Sequence, residues 1–173
     1  MPTLVLGPPP PELEALLERR RQAGVDRLDE VWQGVHLMVP GPSFEHAHIR
    51  QQLGELLGPL ARAAGLVPTI SEFNIGESEH DFRVPDGGLH RPGVAGIWHA
   101  TAAMVVEIRS PGDETWHKLP FYAAHDVDEV LIVDPAEQTV TWLGLRDGEY
   151  EPVGQSGLIG LGPTELAAQL HWP

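Results

Sequence analysis

The chain contains no cysteine, which excludes disulfides, thiolate zinc sites and cysteine nucleophiles and leaves the redox compartment undetermined. Any catalysis must therefore use oxygen or imidazole groups. The sequence also lacks a run of 18 or more apolar residues, and its N-terminus lacks the basic start, apolar middle and small-residue cleavage site of a signal peptide. We therefore expect a soluble, cytoplasmic protein with no membrane partner.

Basic residues are scarce: 11 Lys and Arg stand against 25 Asp and Glu, with a net charge of −14. Nonspecific binding to nucleic acid draws most of its free energy from Lys and Arg meeting phosphates, so a broad basic binding face is not available. An acidic chain can still bind DNA through a local patch, a partner subunit, or divalent cations that bridge its carboxylates to phosphate. The composition thus disfavours nucleic-acid binding without excluding it.

The length and the 42% hydrophobic content suit one domain with its own core, spanning residues 1–173. Residues 1–10 form a proline-rich leader that we expect to be flexible. Hydrophobic periodicity and turn signals in the rest of the chain predict the order αββαβββαβββα, with no internal repeat or linker. This order predicts an α/β fold, a central mixed β-sheet flanked by α-helices. Three strand segments before Lys118 are expected to be adjacent in this sheet: "VPTISEFNIG", "HDFRVPDGGLH" and "AAMVVEIRS".

Charged residues occur where a buried strand is expected. The segment "AAMVVEIRS", residues 102–110, reads as a strand, and Glu107 and Arg109 project from the same face of it. Asp86, in the "VPDGG" turn that closes the preceding predicted strand, lies beside them if the two strands pair. Lys118 follows on the next helix, which folds back toward the strand. Unpaired charges are costly to bury, so these four residues are predicted to converge.

Such a group has a chemical use. Two carboxylates at short range raise each other's pKa unless a cation neutralises them. A few hard oxygen ligands, with room for water and a substrate phosphate, are what a catalytic Mg²⁺ or Mn²⁺ site requires. A nearby lysine can orient or deprotonate the attacking water and stabilise charge on the phosphate in the transition state. The pattern therefore favours metal-dependent phosphodiester hydrolysis.

Three pieces in this order carry a resemblance to a known family: "DEVWQGVHLMVPGPSFEHAHIRQQL", "VPDGG" and "MVVEIRSPGDETWHKLPFYAAHDVDEVLIVDP". Together they resemble the Uma-two (Uma2) family of restriction endonucleases, a branch of the PD-(D/E)XK nuclease superfamily, over roughly residues 28–135. The resemblance implies a restriction-endonuclease-like core and a DNA endonuclease that uses Mg²⁺ or Mn²⁺. It also implies a homodimer, since proteins of this fold often dimerise to cut two strands.

The resemblance assigns roles position by position. Asp86 stands at the aspartate of the family's "PD" and Glu107 at the acidic residue of the next strand, so both are implied as metal ligands. Lys118 matches the lysine on the following helix and is implied to assist the water or the transition state. Glu30, in the opening hairpin, and His46, at the start of the long helix, are implied as supporting site residues.

The sequence departs from the superfamily pattern at Arg109, which replaces the usual lysine of "E-x-K". Arginine cannot accept a proton near neutrality, although it could hold a phosphate. The glycines after Asp86 are a second departure, and they either loosen the strand end or let a substrate backbone approach closely. Glu72, on a neighbouring predicted strand, could supply a further carboxylate to the site, although a charge on an edge strand that faces solvent is the more frequent explanation. The alternative to an active nuclease is a noncatalytic module that keeps the core for binding, which the acidity and Arg109 favour.

Overall fold

A computed structural model describes residues 10–112 and 114–173. Residues 1–9, which make up nearly all of the predicted leader, therefore lie outside the described part. The described residues form four α-helices, one short 3-10 helix and eleven strands. In chain order they are α1 Pro11–Ala23, β1 Glu30–Trp32, β2 Val35–Leu37, α2 Phe44–Ala63, β3 Val67–Thr69, β4 Asn74–Ser78, β5 Asp81–Arg83, β6 Gly87–His90, β7 Trp98–His99, β8 Met104–Ile108, the 3-10 helix Thr115–Lys118, α3 Leu119–Ala124, β9 Glu129–Asp134, β10 Thr139–Arg146, β11 Glu149–Pro152 and α4 Pro163–Gln169.

The α/β class is confirmed, but the strands form two mixed sheets. The six-stranded sheet has the order β11-β10-β9-β8-β6-β3, and the five-stranded sheet has the order β2-β1-β5-β4-β7. Each of the three predicted strand segments supplies one strand to the adjacent trio β3, β6 and β8 of the six-stranded sheet, as expected. The first two segments each supply a second strand, β4 and β5, to the five-stranded sheet, which was not expected. The chain passes from β5 to β6 through Pro85, which has no N–H to donate to a ladder, and changes sheet there.

The opening hairpin and the long helix are both present where the sequence predicts them. β1 and β2 pair antiparallel across Gln33 and Gly34, which both have positive φ, as a two-residue hairpin turn requires. α2 begins after Ser43, whose hydroxyl accepts the N–H of His46 at 3.2 Å. These two elements set the positions of Glu30 and His46.

The core lies on both faces of the six-stranded sheet, because β8 and β9 are buried throughout. One face packs against α2 and α4 through Leu53, Leu57 and Leu166. The other packs against β4 and α3 through Ile75 and Tyr122. Glu107 projects from this second face, between the two sheets. None of the described helices is long and apolar enough to cross a membrane.

Candidate active site

The pairing of β6 with β8 brings Asp86 beside Glu107. The two strands run antiparallel with Gly87 opposite Val106, and Asp86 immediately precedes β6. One carboxylate oxygen of Asp86, Oδ2, accepts the N–H of Ile108 at 2.8 Å. Asp86 thus lies in the bend just before β6, whereas the sequence predicts it at the close of the preceding strand. The expected proximity to Glu107 results all the same.

His46 holds the other oxygen of Asp86. Its Nε2 lies 2.7 Å from Asp86 Oδ1, and its Nδ1 lies 3.4 Å from the hydroxyl of Ser110. The imidazole is buried at the start of α2, so its position is set by the helix and its N-cap. With both carboxylate oxygens engaged, the orientation of Asp86 is determined by α2 and β8 together.

Lys118 bridges two buried glutamates that come from different sheets. Its ammonium nitrogen lies 2.9 Å from Glu30 Oε1 and 3.2 Å from Glu107 Oε1. Both glutamates are only 3% exposed. Lys118 ends the 3-10 helix and is the only lysine in the chain, so every other permanent side-chain cation is an arginine. The one lysine therefore ties β1 of the five-stranded sheet to β8 of the six-stranded sheet.

Two aromatic residues that were not predicted from the sequence complete this cluster. The hydroxyl of Tyr122 donates to Glu107 Oε1, and the indole N–H of Trp32 donates to Glu30 Oε2 at 2.6 Å. A spacing signal was present for each. Tyr122 comes four residues after Lys118, on the same side of a helix, and Trp32 comes two residues after Glu30, on the same face of a strand.

Burial dominates the electrostatics of the cluster. It raises the pKa of Glu107 to about 8, against the effect of the Lys118 ammonium, while the charges of Asp86 and Glu30 raise this pKa further. Burial acts to lower the pKa of Lys118, but the carboxylates of Glu107 and Glu30 outweigh it, and the pKa is raised. Lys118 therefore stays an ammonium ion at neutral pH, whereas Glu107 titrates near neutrality.

Arg109 lies apart from the other predicted site residues. Its Nη1 donates to Asp134 Oδ2 at 2.5 Å, which ties the end of β8 to the end of β9. Glu72 pairs with Arg50 of α2 at the rim of the site. The structure therefore gathers Glu30, His46, Asp86, Glu107 and Lys118 around one cavity, with Glu72 at its edge and Arg109 outside its lining.

The glycines that follow Asp86 are required by packing within the protein. A Cβ atom on Gly88 would lie 2.7 Å from the carbonyl oxygen of Met104 and 2.7 Å from the ring of Phe73. A Cβ atom on Gly87 would meet the backbone of Ile70 at 3.0 Å. The close approach is therefore made by the protein's own backbone and an aromatic ring, which is neither of the two explanations left open by the sequence.

The cavity, which we call the cleft, has a volume of about 570 Å³. Residues 37–42 line one part of the cleft, and Ser110 and Pro111 also belong to its lining. Acidic residues outnumber permanent cations among the described lining residues, which include Glu30, Glu72, Asp86, Glu107 and Glu114 against Arg50 and Lys118. No three His, Asp or Glu side chains in the described residues are grouped so that they could hold a metal ion.

Comparisons with known proteins agree with this fold. The family model Uma2, described as "Putative restriction endonuclease", matches residues 13–169. The fold is similar to the crystal structure of "a putative nuclease belonging to DUF820 from Anabaena variabilis ATCC 29413", with a TM-score of 0.67 and 18% sequence identity, over 82% of this chain and 90% of that chain. A comparison with curated proteins finds no match.

Proposed function

Because this chain belongs to the Uma2 family, we propose that it is a nuclease that hydrolyses phosphodiester bonds of DNA with Mg²⁺ or Mn²⁺. The observation that carries the proposal is the convergence of Asp86 and Glu107 on one cleft, with the chain's only lysine 3.2 Å from Glu107. A carboxylate pair beside a fixed ammonium suits phosphoryl transfer to water, because it supplies metal ligands and a positive charge together.

The donor set fits a hard divalent cation. Five carboxylates line the cleft against two permanent cations, so a phosphate would be repelled unless a further positive charge were present. Asp86 and Glu107 would hold the metal, and because Mg²⁺ keeps several waters, two protein carboxylates suffice without a third side chain. When bound, the metal would polarise the phosphoryl group and lower the pKa of the attacking water.

The protein's own residues would then orient the Asp86 carboxylate and the attacking water, and would stabilise the transition state. His46 and the N–H of Ile108 hold the carboxylate of Asp86 from two sides. Lys118, kept as an ammonium by its raised pKa, would orient the water and offset charge on the phosphate in the transition state. The water oxygen forms the new P–O bond, one ester P–O bond breaks, and a proton passes to the leaving oxygen. Because its pKa is raised, Lys118 is a poor candidate for the base.

Plasmid and oligonucleotide cleavage tests the activity. Purified protein is incubated with supercoiled plasmid or single-stranded DNA and with Mg²⁺ or Mn²⁺, beside a chelator control and the variants Asp86→Asn and Glu107→Gln. We expect cleavage that is lost with the chelator and in both variants. Glu129→Gln is the matched control, since Glu129 is also buried but lies outside the cleft, bound by Trp142 and Ser156.

Metal binding has a separate test that needs no activity. Protein labelled with ¹³C and ¹⁵N at lysine has one lysine side-chain signal, that of Lys118. Paramagnetic Mn²⁺ is expected to broaden this signal in the wild type and to leave it sharp in Glu107→Gln. A sharp signal in saturating Mn²⁺, together with no cleavage of any substrate, would refute the proposal and favour the noncatalytic binding module.

A further inference from the structure

One wall of the cleft is apolar and exposed. Residues 37–42, which we call the apolar lip, connect β2 to α2 and include Met38 and Val39, whose exposed fractions are 41% and 36%. The backbone N–H of Val39 donates to Asp29 at 2.9 Å, and Asp29 is in turn paired with Arg20, so the lip is attached to the rest of the protein. Large apolar side chains kept exposed beside a charged floor are typical of a binding surface.

The cations of the cleft are already engaged by carboxylates. Arg50 pairs with Glu72, and Lys118 lies between Glu30 and Glu107. A duplex presents its phosphates on the outside and stacks its bases inside, so its binding depends on several Lys or Arg contacts. The described lining of the cleft supplies no such row. An unpaired nucleotide also presents the apolar face of its base, which the lip can contact.

The size of the cleft also favours an unpaired nucleotide over a duplex. A volume of about 570 Å³ lies in the range of about 300–1,000 Å³ that is typical of small-molecule sites. Such a volume accepts a single nucleotide unit that has left the base stack, as in enzymes that act on extruded or single-stranded bases. A base pair held in a continuous duplex cannot enter it without unstacking.

Resting on the proposed function, we infer that the substrate is single-stranded DNA. One unpaired nucleotide enters the cleft with its base packed on the apolar lip and its phosphate above Asp86 and Glu107. The lip replaces the missing basic surface as the source of affinity, and the metal offsets the carboxylates at the phosphate. Specificity for single strands then follows from burial of a base face that a duplex does not offer.

Fluorescence anisotropy with the full chain tests this inference apart from catalysis. A labelled oligonucleotide and its duplex are titrated with the wild-type protein in Ca²⁺. We expect the single strand to bind at least about tenfold more tightly than the duplex. Because only two permanent cations line the described cleft, the plot of log K against log salt should be no steeper than about −1.4.

Two variants locate the binding. The double variant Met38→Ser with Val39→Ser removes apolar surface from exposed positions of the lip and should weaken single-strand binding about tenfold. The control Ile97→Ser changes a side chain that is 71% exposed and lies outside the cleft lining, so it should bind as the wild type does. Circular dichroism of each variant verifies that the fold is retained.

The outcomes separate this inference from the proposed function. Equal or tighter binding of the duplex, no binding of either DNA, or full affinity in the lip variant would overturn the inference. Metal-dependent cleavage of duplex with no preference for single strands would do the same while leaving the nuclease activity established. Single-strand binding that depends on the lip, without cleavage under any metal, would support the inference and refute the nuclease activity.

Discussion

Replacing Lys118 with methionine should destabilise the protein strongly. The side chains of Glu30 and Glu107 are 4% exposed, and the ammonium of Lys118 lies within 3.2 Å of an oxygen of each. Methionine has a similar length and fills the same space, so the change removes the charge and little packing. Removing one partner from a buried ion pair costs about 3–5 kcal/mol, because the remaining charge is left uncompensated. We expect a loss of this size in the free energy of unfolding.

The loss should depend on pH with a definite sign. An acid whose pKa is raised in the folded state binds more protons when folded than when unfolded, so its contribution to stability falls as pH rises through that window. For Glu107 the window runs from the ordinary value of 4.5 to about 8 in the wild type, and it extends higher without the ammonium. Urea unfolding of Lys118→Met should therefore show a larger loss at alkaline pH than near pH 6.

A second variant isolates the cause. Glu107→Gln introduced into Lys118→Met removes one of the two uncompensated carboxylates without changing volume, so it should recover much of the lost stability. The recovery should be greatest at alkaline pH, where Glu107 would otherwise be ionised. If Lys118→Met unfolds within about 1 kcal/mol of the wild type at alkaline pH, or if the second change restores nothing, the ammonium does not compensate the buried carboxylates and the reasoning fails.

Three further predictions concern other parts of the structure. Glu107→Gln alone should unfold in urea within about 1 kcal/mol of the wild type near pH 6, because burial raises the pKa of Glu107 to about 8 and Lys118 keeps Glu30 as its partner. A loss above about 3 kcal/mol would contradict this. Gly88→Ala should lower the stability by roughly 1–3 kcal/mol, because its Cβ would meet Met104 and a ring at 2.7 Å, and an unchanged melting temperature would refute the packing argument. Burial and the nearby His99 lower the pKa of His90 to about 4 in the folded protein, against an ordinary value of 6.5. Between these two pH values the unfolded chain therefore binds more protons than the folded protein does. Stability should therefore fall by about 2 kcal/mol more between pH 7 and pH 5 in the wild type than in His90→Leu, and parallel urea curves for the two would count against it.

Elements with a clear local pattern were predictable. α2 has apolar residues at three- and four-residue intervals, and β8 and β9 are apolar runs that are buried on both faces. The "QG" turn of the opening hairpin also marks its position. Each of these signals depends on residues close together in the chain, so the sequence alone suffices to read them.

Strand order and the choice of charged partners were not predictable in the same way. Glu107 and Arg109 are expected on one face of one strand, yet Glu107 meets Lys118 and Tyr122 while Arg109 meets Asp134. The difference arises because β9 lies parallel to β8 and ends beside Arg109. The local periodicity of the sequence does not indicate which strand becomes the neighbour of β8.

The sequence by itself determined the family, the α/β class and the identity of the acidic and basic residues around the cleft, because motif order and residue chemistry are properties of the linear chain. Only the tertiary structure decided that the strands divide between two sheets, and that Lys118 joins Glu30 in one sheet to Glu107 in the other. It also decided that Gly88 serves internal packing. The physical reason is that these contacts are made across strand registers and between sheets, where the free energy depends on three-dimensional burial that distant segments create together.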